Sequence, residues 1–514
     1  MRHPLACLLY VLSGVCAAQT PSQYQYLEQL ASPEVAAWTT QQNARTLAAL
    51  DDGLRAEVRT GLLALWDDVQ YGMPERQGTE TVWFMRKDRT VPRTWFTGSE
   101  AGSAQAAPLL PGVADDAVAV RLSPDGRYVA YAVETAQAPQ RLWKLYDRQT
   151  RAVLPWQIAD ARKGSGLAWQ GAGVLYIKGG ERDTLLSKDL GAGPGAALPL
   201  ADAPARLELM AAPGAIFVAG SADGRRQSHL WRLTQSGAQL VVAQPSAHVE
   251  PVHADATQTM VLTDRGAPRG RVVAIAHGAA ESAWRTVIAE SPVNRLEQAV
   301  WTGDGIAATW QLPLHREVTW QTDDGKRSAR IELAQHGTVS RLAPAGNGKF
   351  YVQQSSAGLP PGIWLADRAS GAAVPVLKSA LPFDGARYRT RIDTIAAADG
   401  ARIPILITEP RDATGPLPLF LFVNGYDGMG SSPGFSATIG FWLQRTGGRF
   451  AMVNLRDGGK QGLAWDDKPR AAGTALAIGD LHTVYRHLAD SKLTTSSTLA
   501  IHGGNDSGGL LVTA

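Results

Sequence analysis

From residue 79 to 385 the chain has no long helical period, and that removes most architectures from consideration. In its place stand short apolar or alternating runs: Arg127–Val133, Gly173–Lys178, Ala215–Ala219, Thr259–Thr263 and Ile306–Trp310. Turn signals separate them, among them Pro124-Asp125-Gly126, Asp223-Gly224 and Asp323-Asp324-Gly325. Three segments, Leu142–Asp147, His229–Leu233 and Ile363–Asp367, recur as a closing strand before a polar tail. Weak repeats of this length point to a β-propeller, in which each blade is a small sheet that needs its neighbours to cover its faces. A tandem of β-sandwiches is the alternative that this pattern leaves open.

The flanks differ. Residues 22–70 read as helical, with Leu27, Leu30, Val35, Trp38, Leu47, Leu50, Leu54, Val58, Leu62 and Leu65 at helical spacing. After 388 the texture becomes α/β. Apolar strands at Ile403–Thr408, Leu417–Val423, Phe450–Asn454 and Thr498–Ile501 alternate with helical stretches at 436–447 and 474–490.

Composition narrows function more than fold. With 50 basic against 47 acidic residues the formal net charge is +3, too balanced to point to nucleic acid or an anionic membrane. The two cysteines, Cys7 and Cys16, both lie in an N-terminal stretch that reads as a secretory signal. Arg2 and His3 precede apolar Leu5–Val15, and small residues end at Ala18. A buried N-terminal helix and a lipid anchor on Cys16 are the competing readings; Val15 is a poor neighbour for the latter. Cleavage after Ala18 leaves a mature chain without cysteine, expected to be soluble and exported, to the periplasm or beyond. No HExxH, paired CxxC or phosphate-loop pattern occurs, so no metal or cofactor is expected.

Chemistry concentrates at Leu499–Ala514. A short apolar strand, a Gly-rich turn carrying Ser507 and the start of a helix have the layout of a nucleophile elbow, where a strained turn raises a serine hydroxyl above a sheet. Gly509 supplies the small residue on the far side, while Asn505 stands where G-x-S-x-G has glycine. Counting forward from Ile501–Gly504 places the serine position on Asn505, and counting back from Gly508–Leu511 places it on Asp506. The three registers remain open. Asp480 and His482 on one expected helix, and His502 beside the elbow, are better explained by surface-helix and strand-end roles.

The order of these features resembles the prolyl oligopeptidase family of serine peptidases along nearly the whole mature chain. Tyr26–Trp38 with Gln42-Asn43 is similar to that family's opening helices, and Leu122–Tyr131 and Leu262–Pro268 to its propeller blades. Gly425–Gly428, Asn454–Gly459 with Trp465, and Gly503–Leu511 resemble successive landmarks of its catalytic domain. Asp427 and Asp457 stand where the family has glycine, and Lys460 where it has an acid.

Beyond the signal peptide read at 1–18, the resemblance implies an N-terminal helical segment at 19–78 packing on a hydrolase domain, a seven-bladed β-propeller at 79–385, and a partial α/β-hydrolase domain at 386–514. It implies a monomeric serine peptidase acting on short peptides, typically after proline, with the propeller limiting access. Ser507 is then the nucleophile, and the Tyr426 hydroxyl and Gly508 amide bind the oxyanion. The family's acid and histidine follow the serine, yet residues 508–514 contain neither. Residues 1–514 are therefore expected to turn over little or no substrate. A non-catalytic propeller binding module, or an esterase using the same elbow, are the alternative functions.

Overall fold

The computed structural model describes residues 24–50, 52–135, 137–191, 193–222, 227–244, 246–424, 433–456, 470–504, 508 and 511. The described residues up to Gly61 form one compact unit and those from Leu62 onward a second. In the first, helix α1 spans Pro33–Ala49, and helix α2, Asp52–Trp66, begins there. Ser32 starts α1 by accepting the Val35 amide at 3.2 Å, with Pro33 preset for the first turn. The helical periodicity is real, but it is not a buried stripe. Val35 is covered, whereas Leu30 is 83% exposed and Leu47, Leu50 and Leu54 are about half exposed. Spacing shows that apolar residues share a face and is silent on what covers it.

The second unit opens with antiparallel meanders. The strands from Gln70 to Leu377 make six hydrogen-bonded sheets, of which five are single blades. One of these, at 70–108, has five strands; the blades at 206–243, 249–288, 295–331 and 338–377 have four each. The sixth sheet, at 119–197, has eight strands. The expectation of seven separate blades is corrected by that sheet. Its two halves join because the long Ala152–Arg162 strand runs on past two bulges until Ala161 pairs with Lys178. Strand patterning shows where strands are and cannot show which sheets share an edge.

Central strands read as continuous apolar runs because neighbouring blades cover both faces, so Tyr128–Val133 and Gln258–Thr263 are buried almost throughout. Turn chemistry repeats between blades. In Ser123–Gly126, the Gly126 amide donates to Ser123 O at 2.8 Å and the Asp125 carboxylate accepts from the Ser123 hydroxyl at 2.5 Å. Thr322–Gly325 reproduces both bonds, at 3.0 and 2.7 Å. The two glycines, at φ +72° and +68°, adopt the left-handed region that such turns need.

From Tyr388 the chain builds one five-stranded mixed sheet, ordered Tyr388–Ala396, Arg402–Pro410, Arg449–Asn454, Leu419–Asn424, Leu499–Gly503. The first two pairings are antiparallel and the last two parallel. Helix α3, Ala437–Thr446, is capped by the Ser436 hydroxyl and ends at Gly447, φ +60°. It covers one face through Leu443 against Phe450 and Met452. Helix α4, Arg470–Asp490, covers the other through Leu481, Val484 and Leu488 against Ile405, Leu421 and Val453. The α/β-hydrolase expectation is corrected here too: among the described residues no such domain is evident, only this mixed sheet and its two helices. Alternating apolar strands and helices recur in many layered folds, so they suggest a texture without deciding a domain.

Candidate active site

Three strands of the C-terminal sheet are parallel, and their register brings their carboxyl ends together. Asn424 pairs with Asn454 and Val423 with Gly503. The chain therefore leaves one edge of the sheet side by side after Asn424, Asn454 and Gly503. Ligands of parallel sheets bind at this kind of edge, beyond the carboxyl ends of adjacent strands. Among the site residues expected from the sequence, Ser507 and Tyr426 lie outside the described residues, as do Asn505, Asp506, Asp427, Asp457, Lys460 and Trp465. Gly508 is described and has helical backbone. A Cβ there would sit 3.0 Å from the carbonyl oxygen of Gly503, so the chain turns back closely over its own strand end. Leu511, also helical, packs on the same apolar cluster as α4.

The first turn after Asn454 is held by charge. Arg456 donates to both carboxylate oxygens of Asp480, at 2.8 and 2.5 Å, and also reaches Asp399. Asp480 is fully buried on α4. The hydrogen bond to Asp480 raises the Arg456 pKa well above its ordinary value, with Asp399 adding to it and burial opposing. The hydrogen bond that Arg456 donates to Asp399 leads the factors that keep that carboxyl below the usual carboxylate range. This bidentate clamp fixes the start of the loop after Asn454 in a geometry that a lysine would not reproduce.

The clamp also bears on the acid and histidines that the sequence placed near the elbow. Asp480 has a buried structural partner, which corrects its reading as a surface-helix residue, and His482 lies exposed two residues further on. A separation of two residues puts them on different sides of the helix, so they do not act as a pair. His502 is exposed on the edge strand, with its ring stacked 5.4 Å from Phe422 and edge-on to Phe420. Arg456 was within reach of sequence reasoning, as part of the Asn454–Gly459 motif. Asp399, in an Asp-Gly turn of ordinary appearance, gave no such signal.

A cavity of about 400 Å³ lies elsewhere, lined by Leu381, Pro382, Phe383, Asp384, Arg387, Tyr388 and Gln444. Tyr388 pairs with Pro410, at the amino edge of the parallel strands and away from their carboxyl ends. Among the described residues no cluster of three or more His, Cys, Asp or Glu could hold a metal ion.

Comparison with known proteins gives a consistent picture. Residues 17–379 match the family model described as "Prolyl oligopeptidase, N-terminal beta-propeller domain". The match concerns the propeller and stops at 379, so it lends nothing to a hydrolase domain beyond. A prolyl endopeptidase of Elizabethkingia miricola is 22% identical over 96% of this chain and 74% of its own length. Another, from Elizabethkingia meningoseptica, is 27% identical over 52% of this chain and 38% of its own. Among solved structures, one from an analysis of two prolyl endopeptidases superposes with a TM-score of 0.83 at 24% identity, covering 95% of this chain and 75% of that one. The apo form of prolyl oligopeptidase B from Galerina marginata gives 0.80 at 18% identity, over 96% and 77%. At these identities the structural likeness speaks for the fold alone.

Proposed function

The chain belongs to the prolyl oligopeptidase family of peptidases, and on that premise we propose that it is a serine-type peptidase that accepts short peptides and cleaves after proline. The observation that carries this reading is the shared edge at which the loops after Asn424, Asn454 and Gly503 begin, because they bear Tyr426, Arg456 and Ser507. In the proposed reaction the Ser507 hydroxyl oxygen attacks the peptide carbonyl carbon, and the oxyanion is held by the Tyr426 hydroxyl and the Gly508 amide. Collapse expels the amine and leaves an acyl-enzyme, which water then hydrolyses. Arg456, clamped by Asp480, positions one wall of the site. We further propose export, on the strength of the Arg2–Ala18 segment, and action as a monomer.

Attack by a serine needs a base to take its proton, and residues 508–514 offer neither histidine nor acid. Residues 1–514 are thus expected to bind a blocked Gly-Pro reporter peptide and release its fluorophore slowly or not at all. Fluorescence titration and a turnover assay on this polypeptide and its Ser507→Ala variant test both halves. Failure to bind prolyl peptides at millimolar concentration overturns the peptidase reading. Turnover that Ser507→Ala abolishes supports the nucleophile and overturns the expected inactivity.

A further inference from the structure

Two connecting segments of the propeller lie against the C-terminal sheet, and a histidine sits in each. The first is the turn between the Ile306–Gln311 and Arg316–Gln321 strands. Its Leu314 packs with Phe450 and Met452, and its Pro313 carbonyl accepts from the Asn454 side chain at 3.4 Å. The second links Ser328–Ile331 to Thr338–Gly346. There the Gln335 amide donates to the carbonyls of Gly385 and Tyr388, both at 3.3 Å, and its side-chain oxygen accepts from Thr390 at 3.0 Å. Thr338 in turn donates to Pro433 O at 2.8 Å. Arg316 N to Gly337 O, at 2.9 Å, ties the two segments together.

His315 and His336 meet between them, edge to face, with ring centroids 4.8 Å apart. His315 is enclosed, its side chain 12% exposed, whereas His336 is exposed. Its Nε2 faces the Glu317 carboxylate at 3.4 Å, which places the ring proton on that nitrogen. Its Nδ1 is buried without a hydrogen-bond partner. Glu317 offsets this burial only in part, because the same oxygen is already bonded to Arg330 at 2.5 Å. Glu317 and Arg330 are the charges that act on both rings among the described residues.

We propose that His315 and His336 form a proton-operated latch between the propeller and the C-terminal sheet, closed while both rings are neutral and released when they are protonated. A proton on His315 Nδ1 creates a buried N–H with no acceptor, next to a second imidazole and a guanidinium. For His315, burial leads the factors that disfavour the charged form, and the neighbouring His336 and Arg330 reinforce it; the exposed His336 adds its own charge beside that ring on protonation. The released arrangement, more open to water, binds protons better. Acidification therefore favours release, beginning near the ordinary imidazole value of about 6.5 and continuing below it.

The segments that would loosen include Asn454 and Pro433, which border the loops of the candidate site. The effect on turnover rests on the peptidase reading, but the latch itself does not. Hydrogen–deuterium exchange of the 1–514 chain tests it without any need for activity. At pH 5.5 against 7.5, with times scaled for intrinsic exchange, peptides covering 312–316, 334–338, 433–435 and 450–456 are expected to exchange about tenfold faster. The His315→Gln/His336→Gln double variant is expected to lose that pH dependence. If the double variant does not fold, Glu317→Gln serves instead: removing the carboxylate moves the transition to lower pH. A wild-type seam that exchanges equally at both pH values overturns the latch, as does an unchanged pH response in a folded variant.

Discussion

At the scale of single residues, buried charge is the feature most sensitive to change. Glu409, 2% exposed, receives Arg449 at 2.8 Å, Arg389 at 2.9 Å and Arg391 at 3.3 Å. Burial alone would raise its pKa, but the bond from Arg449 and the charges of Arg391 and Arg449 outweigh it and hold the carboxyl below its ordinary value. Removing the carboxylate strands Arg449, whose side chain is 4% exposed. Glu409→Ala is therefore expected to destabilise the protein by about 3–5 kcal/mol in urea unfolding. The sign of the pH effect follows from the lowered pKa. The carboxylate's contribution is complete above the ordinary value of 4.5 and is lost as pH falls through the lower folded value. The gap between wild type and Glu409→Gln should accordingly narrow in strong acid.

At the scale of elements, blades are joined by turns that dock on the next blade. The hairpin turn after Arg206–Ala212 places Pro213 O against the Ala254 amide at 3.1 Å and the His253 ring nitrogen at 2.8 Å. Gly214 follows at φ +95°, and a Cβ there would fall 1.8 Å from Ala254 O. Gly214→Ala incurs left-handed strain of about 1–2 kcal/mol together with overpacking of about 1–3 kcal/mol. A lowered melting temperature with faster exchange across 249–254 is the expected result; an unchanged melt would show that the docking contributes little. Such turns were legible in sequence where their chemistry is local, as in Ser123–Gly126 and Thr322–Gly325. The exposed leucines of α1 and α2 were not, because periodicity alone cannot reveal a missing neighbour.

At the scale of the whole molecule, the propeller closes without a shared strand. Each strand of the first sheet comes from 70–108 and each strand of the last from 338–377. The junction is made by packing of Trp83, Ala101, Tyr351, Ile363 and Leu377. Across it the Ala101 amide donates to the Tyr351 hydroxyl at 3.0 Å, and Lys349 lies 3.8 Å from the Glu100 carboxylate. Tyr351→Phe leaves that amide buried and unpaired, a loss expected at about 1–3 kcal/mol in equilibrium unfolding. Proteolysis should then be faster at this junction than at the 206–243 blade. Equal cleavage at both would mean that closure does not depend on this bond.

Local chemistry was determined by sequence: turn residues, the apolar central strands, and the Ser436 cap and Gly447 stop of α3. These depend on residues a few positions apart, so their spacing carries the information. Tertiary structure alone decided which edges joined, making one eight-stranded sheet of 119–197 and a mixed sheet after Tyr388. It also decided that Asp480 would be buried beneath Arg456 and that His315 would meet His336. Each of these pairings brings together groups far apart in the chain or on separate elements, and their energies come from burial and charge that exist only once the elements pack.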